Sequence, residues 1–240
     1  MSEPLWWTMM ALIVLGHRCV PVRRLTTMPE PERSALRRHT MELRVDVQLG
    51  AAEVDEDLRS LHARLDRSGL LSSARALMGF HFPDLAFHHR QADGEHYIYV
   101  EDVARGRLAG YTVFNRLVEV NRRFDRVVRA PHSKYAAPYQ RRGIATAVYQ
   151  WALDQGFCLV SGARQSQGAH ALWQSLALRH QLQYIEIRDK AVRFLGPAVD
   201  QLQQGSLQTR MILLGAGWDV DGGELVRRQT LPGLRPIAPA

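Results

Sequence analysis

The sequence predicts an α+β domain built on a mixed sheet. Two observations carry that reading. Extended segments and segments with three- and four-residue apolar spacing interleave along most of the 240 residues, and several strands follow one another without an intervening helix. The order is strand, helices, three strands, helix, strand, helix, two strands, and no internal repeat interrupts it.

Residues 42–48 open with Leu43, Val45 and Val47 alternating with Arg44 and Asp46, a half-buried strand. Over 53–66, Val54, Leu58, Leu61 and Leu65 form one helical stripe. Acids gather in its first turn, where the helix dipole favours them. The run 72–80, SSARALMGF, reads as a short second helix leading to a loop near Pro83. Residues 96–103 and 108–117 are strands joined by ARGR, a hairpin. The following stretch is extended and interrupted at Pro131. Residues 157–163 form a continuous apolar strand, 170–180 a helix, and 182–189 and 209–218 two closing strands.

Composition narrows the partners. Hydrophobic residues make up 46% of the chain, enough for a core, and the formal net charge is +7. The basic residues are nearly all arginine, Lys134 and Lys190 excepted, and no run exceeds two, so no nucleic-acid-binding arm is present. Cys19 and Cys158 form neither a metal-ligand pattern nor a disulfide scaffold, which points to a reducing cytoplasm. Residues 5–16 are strongly apolar but number about twelve, whereas a membrane span needs about twenty. An interfacial anchor, a helix packed on the body and dispensable upstream sequence all remain open for them, and membrane contact is not favoured. PEPERSALRR, 29–38, resembles a linker. The expected organisation is an accessory extension over 1–40, a domain over 41–218 and a tail over 219–240.

The segment YQRRGIATAVYQWALDQG, 139–156, holds the chemistry. Ile144, Val148, Trp151, Ala152 and Gln155 share a helical face, and Gly156 suits a left-handed C-terminal cap. The helix therefore starts near Gly143. Its first N–H groups have no intrahelical acceptors, and the dipole makes the same end favourable for anions. With Gly143 and Ala145 keeping the backbone accessible, the segment has the physical character of a phosphate cradle. A plain turn flanked by two solvated arginines is the competing reading.

The order of elements, with Gln140, Arg141, Arg142, Gly143, Ile144 and Ala145 heading the helix, resembles the GNAT superfamily of N-acetyltransferases. The signature of that family is Gln/Arg-x-x-Gly-x-Gly/Ala between a strand and a helix. The resemblance spans roughly 41–218, with its specific motifs within 135–178. It implies a mixed, mostly antiparallel sheet flanked by helices, and acetyl-CoA as co-substrate with its pyrophosphate on the amides of residues 141–146, Thr146 included. A second family motif, Asn-x-x-Ala-x-x-Leu-Tyr, corresponds to residues 166–173. Ala169 and Leu172 match, Ser166 replaces the Asn near the pantetheine arm, and Trp173 replaces the Tyr that often protonates the departing thiolate. An indole N–H only donates and cannot pass a proton on as a phenol does.

The resemblance further implies direct attack of an amine on the acetyl thioester. A backbone N–H near Tyr135 or Ala136 would hold the carbonyl oxygen, and Glu119 or His132 would be the base. The implied activity is N-acetyl transfer to a small-molecule or peptide amine, with homodimerisation left open. The alternative is a GNAT-fold acyl-CoA-binding protein with weak or lost catalysis, for which Trp173 speaks. The resemblance assigns acceptor choice to 53–95, where His81, Asp84, His88, His89, Asp93 and Glu95 cluster, either to attract a cationic amine or as a polar loop. Their spacing is not that of a metal site, and no metal is expected.

Overall fold

The computed structural model describes residues 50–228. The expected first strand at 42–48, the extension before it and the last twelve residues of the expected tail lie outside them. The long amphipathic helix α1 (Ala51–Arg67) is followed by a single turn, α2 (Leu70–Ser73). Four strands come next: β1 (Arg75–Leu77), β2 (Leu85–Ala92), β3 (Glu95–Asp102) and β4 (Arg107–Asn115). The turn α3 (Arg122–Asp125) leads into β5 (Val128–Tyr135), and a 3₁₀ turn, Ala137–Tyr139, leads into α4 (Ile144–Asp154). Then follow β6 (Cys158–Val160), α5 (Gln167–Ala177), β7 (Leu182–Arg188), β8 (Ala191–Gly196), α6 (Gln201–Gly205) and β9 (Thr209–Leu213). A small hairpin, β10 (Trp218–Asp221) and β11 (Glu224–Arg227), ends the described chain.

Nine strands form one sheet in the order β1-β2-β3-β4-β5-β6-β9-β7-β8. Every pairing is antiparallel except β5 with β6, so the sheet is mixed and mostly antiparallel. The cross-strand register places Ile98, Thr112 and Phe114 on one face, where Phe114 packs edge-on against Tyr149 of α4. On the other face Tyr99 and Leu108 pack with Leu65 of α1 and Leu71 of α2. Ile144, Val148 and Ala152 of α4 are almost wholly buried. Burial of each larger aliphatic side chain contributes about 1.5–3 kcal/mol, which is what binds this helix to the sheet. Over β6, β7 and β9 a second apolar cluster forms, with Trp218, Val220 and Leu225 of the terminal hairpin packed against it.

Several expectations change. SSARALMGF forms a helical turn and then the edge strand β1, not a helix throughout. The polar run around His88 and His89 is not a loop: it is β2, joined to β3 through Asp93-Gly94, both at positive φ as a tight two-residue hairpin turn requires. His88 bonds Glu101 across the ladder at 2.9 Å and His89 bonds His96 at 3.0 Å. Pro131 does not interrupt β5. The bond from Ala136 N–H to the Ala109 carbonyl sets the parity of the β4–β5 ladder, and the nitrogens of residues 131, 133 and 135 fall on the side away from β4. A proline costs no ladder bond there. The stretch expected to be a tail begins with the β10–β11 hairpin, turned by Gly222-Gly223 at positive φ.

Candidate functional site

β5 is the element on which the site is built. It pairs with β6 only at Val128 and Arg129, and from Ala130 to Tyr135 it runs on beside β4. The ladder to β6 therefore stops partway along β5 and leaves a notch. Ladder parity turns the N–H groups of Ser133 and Tyr135 toward that notch. Of the two donors expected for a carbonyl oxygen, Ala136 is ruled out, because its N–H bonds Ala109 at 3.0 Å.

Tyr135 is held firmly. Its ring lies against Gly110, where an added Cβ would come within 2.2 Å of the ring and 2.5 Å of the Lys134 carbonyl. Its hydroxyl bonds Thr112 at 3.1 Å, Thr112 bonds Ser133 at 2.8 Å, and Ser133 reaches the Tyr149 hydroxyl of α4 at 3.3 Å. This chain of hydroxyls joins β4, β5 and α4. Burial pushes the Tyr149 phenol up to about 12. Gly110 lies outside the family motifs, and its signal in the sequence is a glycine inside a strand pattern, the ordinary mark of close backbone approach.

The cradle follows within eight residues. Arg141 (φ 56°) and Gly143 (φ 80°) both adopt left-handed backbone, which swings the chain into α4. No side chain caps α4, and its first helical bond runs from Ala147 N–H to the Gly143 carbonyl. The amides of Ile144, Ala145 and Thr146 thus precede the helical ladder. No atom lies within 4 Å of where a Gly143 Cβ would stand, so the approach is open. Gln140 turns back and donates from Nε2 to the Tyr135 carbonyl at 2.8 Å, tying cradle to notch.

Beneath the loop lies an anchor that the motif does not contain. The Tyr139 hydroxyl donates to Asp102 Oδ2 at 2.6 Å, and Arg105 donates to the same carboxylate at 2.7 Å. Those two bonds, Tyr139 first, hold the Asp102 carboxyl down at about 2. Arg107 and Arg142 each sit over the Tyr139 ring, 5.7 Å from its centre.

The remaining expected residues are dispersed. Ser166 is the N-cap of α5, accepting from Ala169 N–H at 3.2 Å. Trp173 is buried, in the same core cluster as Tyr135, Ile144 and Leu159. His132 is exposed on β5, on the face of the sheet opposite Ser133, with its ring 6.4 Å from that of Tyr111. Glu119 lies in the turn before α3, not on a strand, and pairs with Arg210 at 3.7 Å. A cleft of about 430 Å³ opens past the end of β6, lined by Ser161, Gln165, His170, Tyr184 and Met211 among others. The buried Gln165 Oε1 has no hydrogen-bond partner among the described residues. No described helix is long and apolar enough to cross a membrane.

No family model and no curated protein matches the chain. Among solved structures it is similar to a GNAT-superfamily phosphinothricin acetyltransferase from Sinorhizobium meliloti in complex with acetyl-CoA. The two are 17% identical over 79% of this chain and 90% of that chain, with a TM-score of 0.34. It is also similar to a spermidine N-acetyltransferase SpeG mutant from Vibrio cholerae (17% identical, 64% of this chain and 89% of that chain, TM-score 0.31). A third likeness is to yncA from Salmonella typhimurium with its cofactor acetyl-CoA (12% identical, 75% and 92%, TM-score 0.32). With all three scores below 0.5 the likeness is weak, and the geometry of this chain carries its functional reading.

Proposed function

We propose that this chain is a GNAT-type N-acetyltransferase that moves an acetyl group from acetyl-CoA to an amine. The observation that carries the reading is the coupling of an uncapped, open helix N-terminus to a strand notch through Gln140. The amides of Ile144, Ala145 and Thr146 suit a pyrophosphate, for which fixed N–H dipoles and the helix dipole act together. The Tyr135 N–H, directed into the notch, suits the thioester carbonyl oxygen and would stabilise the charge that develops there as nitrogen attacks.

In this reading the chain binds and orients. Well-oriented reactants can lower a barrier by about 7–11 kcal/mol before any acid or base acts. The amine nitrogen forms a bond to the carbonyl carbon, the carbon–sulfur bond breaks, and the amine proton passes to a base. His132 and Glu119 are the base candidates, acting directly or through water. Trp173 is buried and is a donor only, so it shapes the interior without relaying a proton. The thiolate then leaves with water as its proton source. A thiol pKa near ~8.5 makes that tolerable at neutral pH.

Release of free thiol from acetyl-CoA, followed across a panel of amines with the full-length chain, tests the proposal. Amine-dependent release supports transfer. Tight acetyl-CoA binding without release for any amine favours an acyl-CoA-binding protein instead.

A further inference from the structure

The cradle carries more positive charge than a pyrophosphate needs. Arg141 and Arg142 belong to the loop, and Arg107 arrives from the β3–β4 hairpin. All three are exposed, and among the described residues none has a carboxylate within ion-pair distance. The one acid underneath, Asp102, is buried and engaged by Arg105 and the Tyr139 hydroxyl. The arrangement of Arg107 is specific. Its guanidinium lies over the Tyr139 ring and donates to the Tyr139 hydroxyl at 3.4 Å, while Arg142 lies over the same ring. A single pinned aromatic thus holds two guanidiniums from different elements beside the helix N-terminus. Guanidinium groups held in this way match phosphate geometry better than freely moving charges do.

We propose that Arg107, together with Arg142, recognises a phosphomonoester on the ribose of the ligand whose pyrophosphate occupies the cradle. The site would then select 3′-phosphorylated coenzyme A over its dephospho form. This rests on the coenzyme A reading above. It assigns a role to a residue outside the loop motif, and it accounts for three arginines without counter-ions where the pyrophosphate alone leaves one to spare.

The test is calorimetric titration of the full-length chain, as wild type, Arg107→Ala and Arg107→Lys, with coenzyme A and with dephospho-coenzyme A. The expected result is that wild type binds coenzyme A about tenfold more tightly, the difference one charge-assisted contact supports. Arg107→Ala should lose most of the preference, binding coenzyme A near the wild-type affinity for the dephospho form and leaving dephospho-coenzyme A binding unchanged, and Arg107→Lys should keep most of the preference. Added salt should shrink the preference, since exposed charges are screened. Equal wild-type affinities, or full preference retained in Arg107→Ala, overturn the inference while leaving the cradle reading intact. Loss of dephospho-coenzyme A binding in Arg107→Ala would show that Arg107 only supports Tyr139, and also overturns it. If neither ligand binds wild type, the cradle reading falls and this inference with it.

Discussion

Gly110 and Gly143 are both glycines of the site, for opposite reasons. At Gly110 the constraint is space, because a methyl group would meet the Tyr135 ring at 2.2 Å. Gly110→Ala is expected to destabilise the fold by about 1–3 kcal/mol through overpacking. It should also reduce thiol release further than the stability loss explains, because Tyr135 moves; urea unfolding and the release assay at matched folded fraction check both parts. At Gly143 the space is open and the constraint is φ. Gly143→Ala should cost about 1–2 kcal/mol of backbone strain, and Gly143→Asn, which tolerates left-handed backbone, should cost less by the same unfolding measurement. Trp173 separates packing from chemistry. Buried as it is, Trp173→Ala should lose about 3–5 kcal/mol, whereas Trp173→Phe should fold and retain most thiol release. Abolished release in a well-folded Trp173→Phe would mean that the indole N–H has a specific role.

Among the elements, the β2–β3 hairpin carries the strongest pH dependence. His89 and His96 share one hydrogen bond at 3.0 Å with stacked rings, so one must accept while the other donates. Burial, then His89 and Arg129, lower His96 from 6.5 to about 4, and burial followed by Arg75 lowers His89. The unfolded chain therefore binds protons that the folded chain refuses. Stability should be full above about pH 6.5 and fall as the pH drops toward 4. Urea midpoints at pH 8, 6 and 4.5 measure the slope, and His96→Gln should flatten it. A slope unchanged in that variant would assign the acid sensitivity to other groups. At the start of α5, Ser166→Ala should cost about 1 kcal/mol and Ser166→Asp should restore it, as expected of an N-cap.

Across the whole molecule, what the sequence disclosed follows from which residues face inward. α4 was legible because Ile144, Val148 and Ala152 repeat at helical spacing and all point to the core. β3 and β4 are legible through their β-branched and aromatic residues on either side of a tight turn. β2 was not, because its inward positions include His89 beside Phe87 and polarity does not alternate, although Asp93-Gly94 marked the turn. β8, the edge strand of the half of the sheet beyond β6, and the β10–β11 hairpin packed against that half are not legible, despite Gly222-Gly223. The helix start at Gly143 is readable from the sequence, since a helix start is a local event. Asp102, Gly110 and Tyr139 were not linked to it, because they meet only through strand pairing distant in sequence.

In the proposed function one ligand spans cradle and notch, and Gln140 is the residue that joins them. Gln140 ties the two through the Tyr135 carbonyl while its own side chain is exposed. Acetyl-CoA titrated calorimetrically into wild type and Gln140→Ala should bind both. Thiol release with the best amine should fall in the variant by more than its affinity does, because the carbonyl-holding N–H is no longer aligned with the cradle. Absence of acetyl-CoA binding to wild type, or release in Gln140→Ala equal to wild type, would contradict the account.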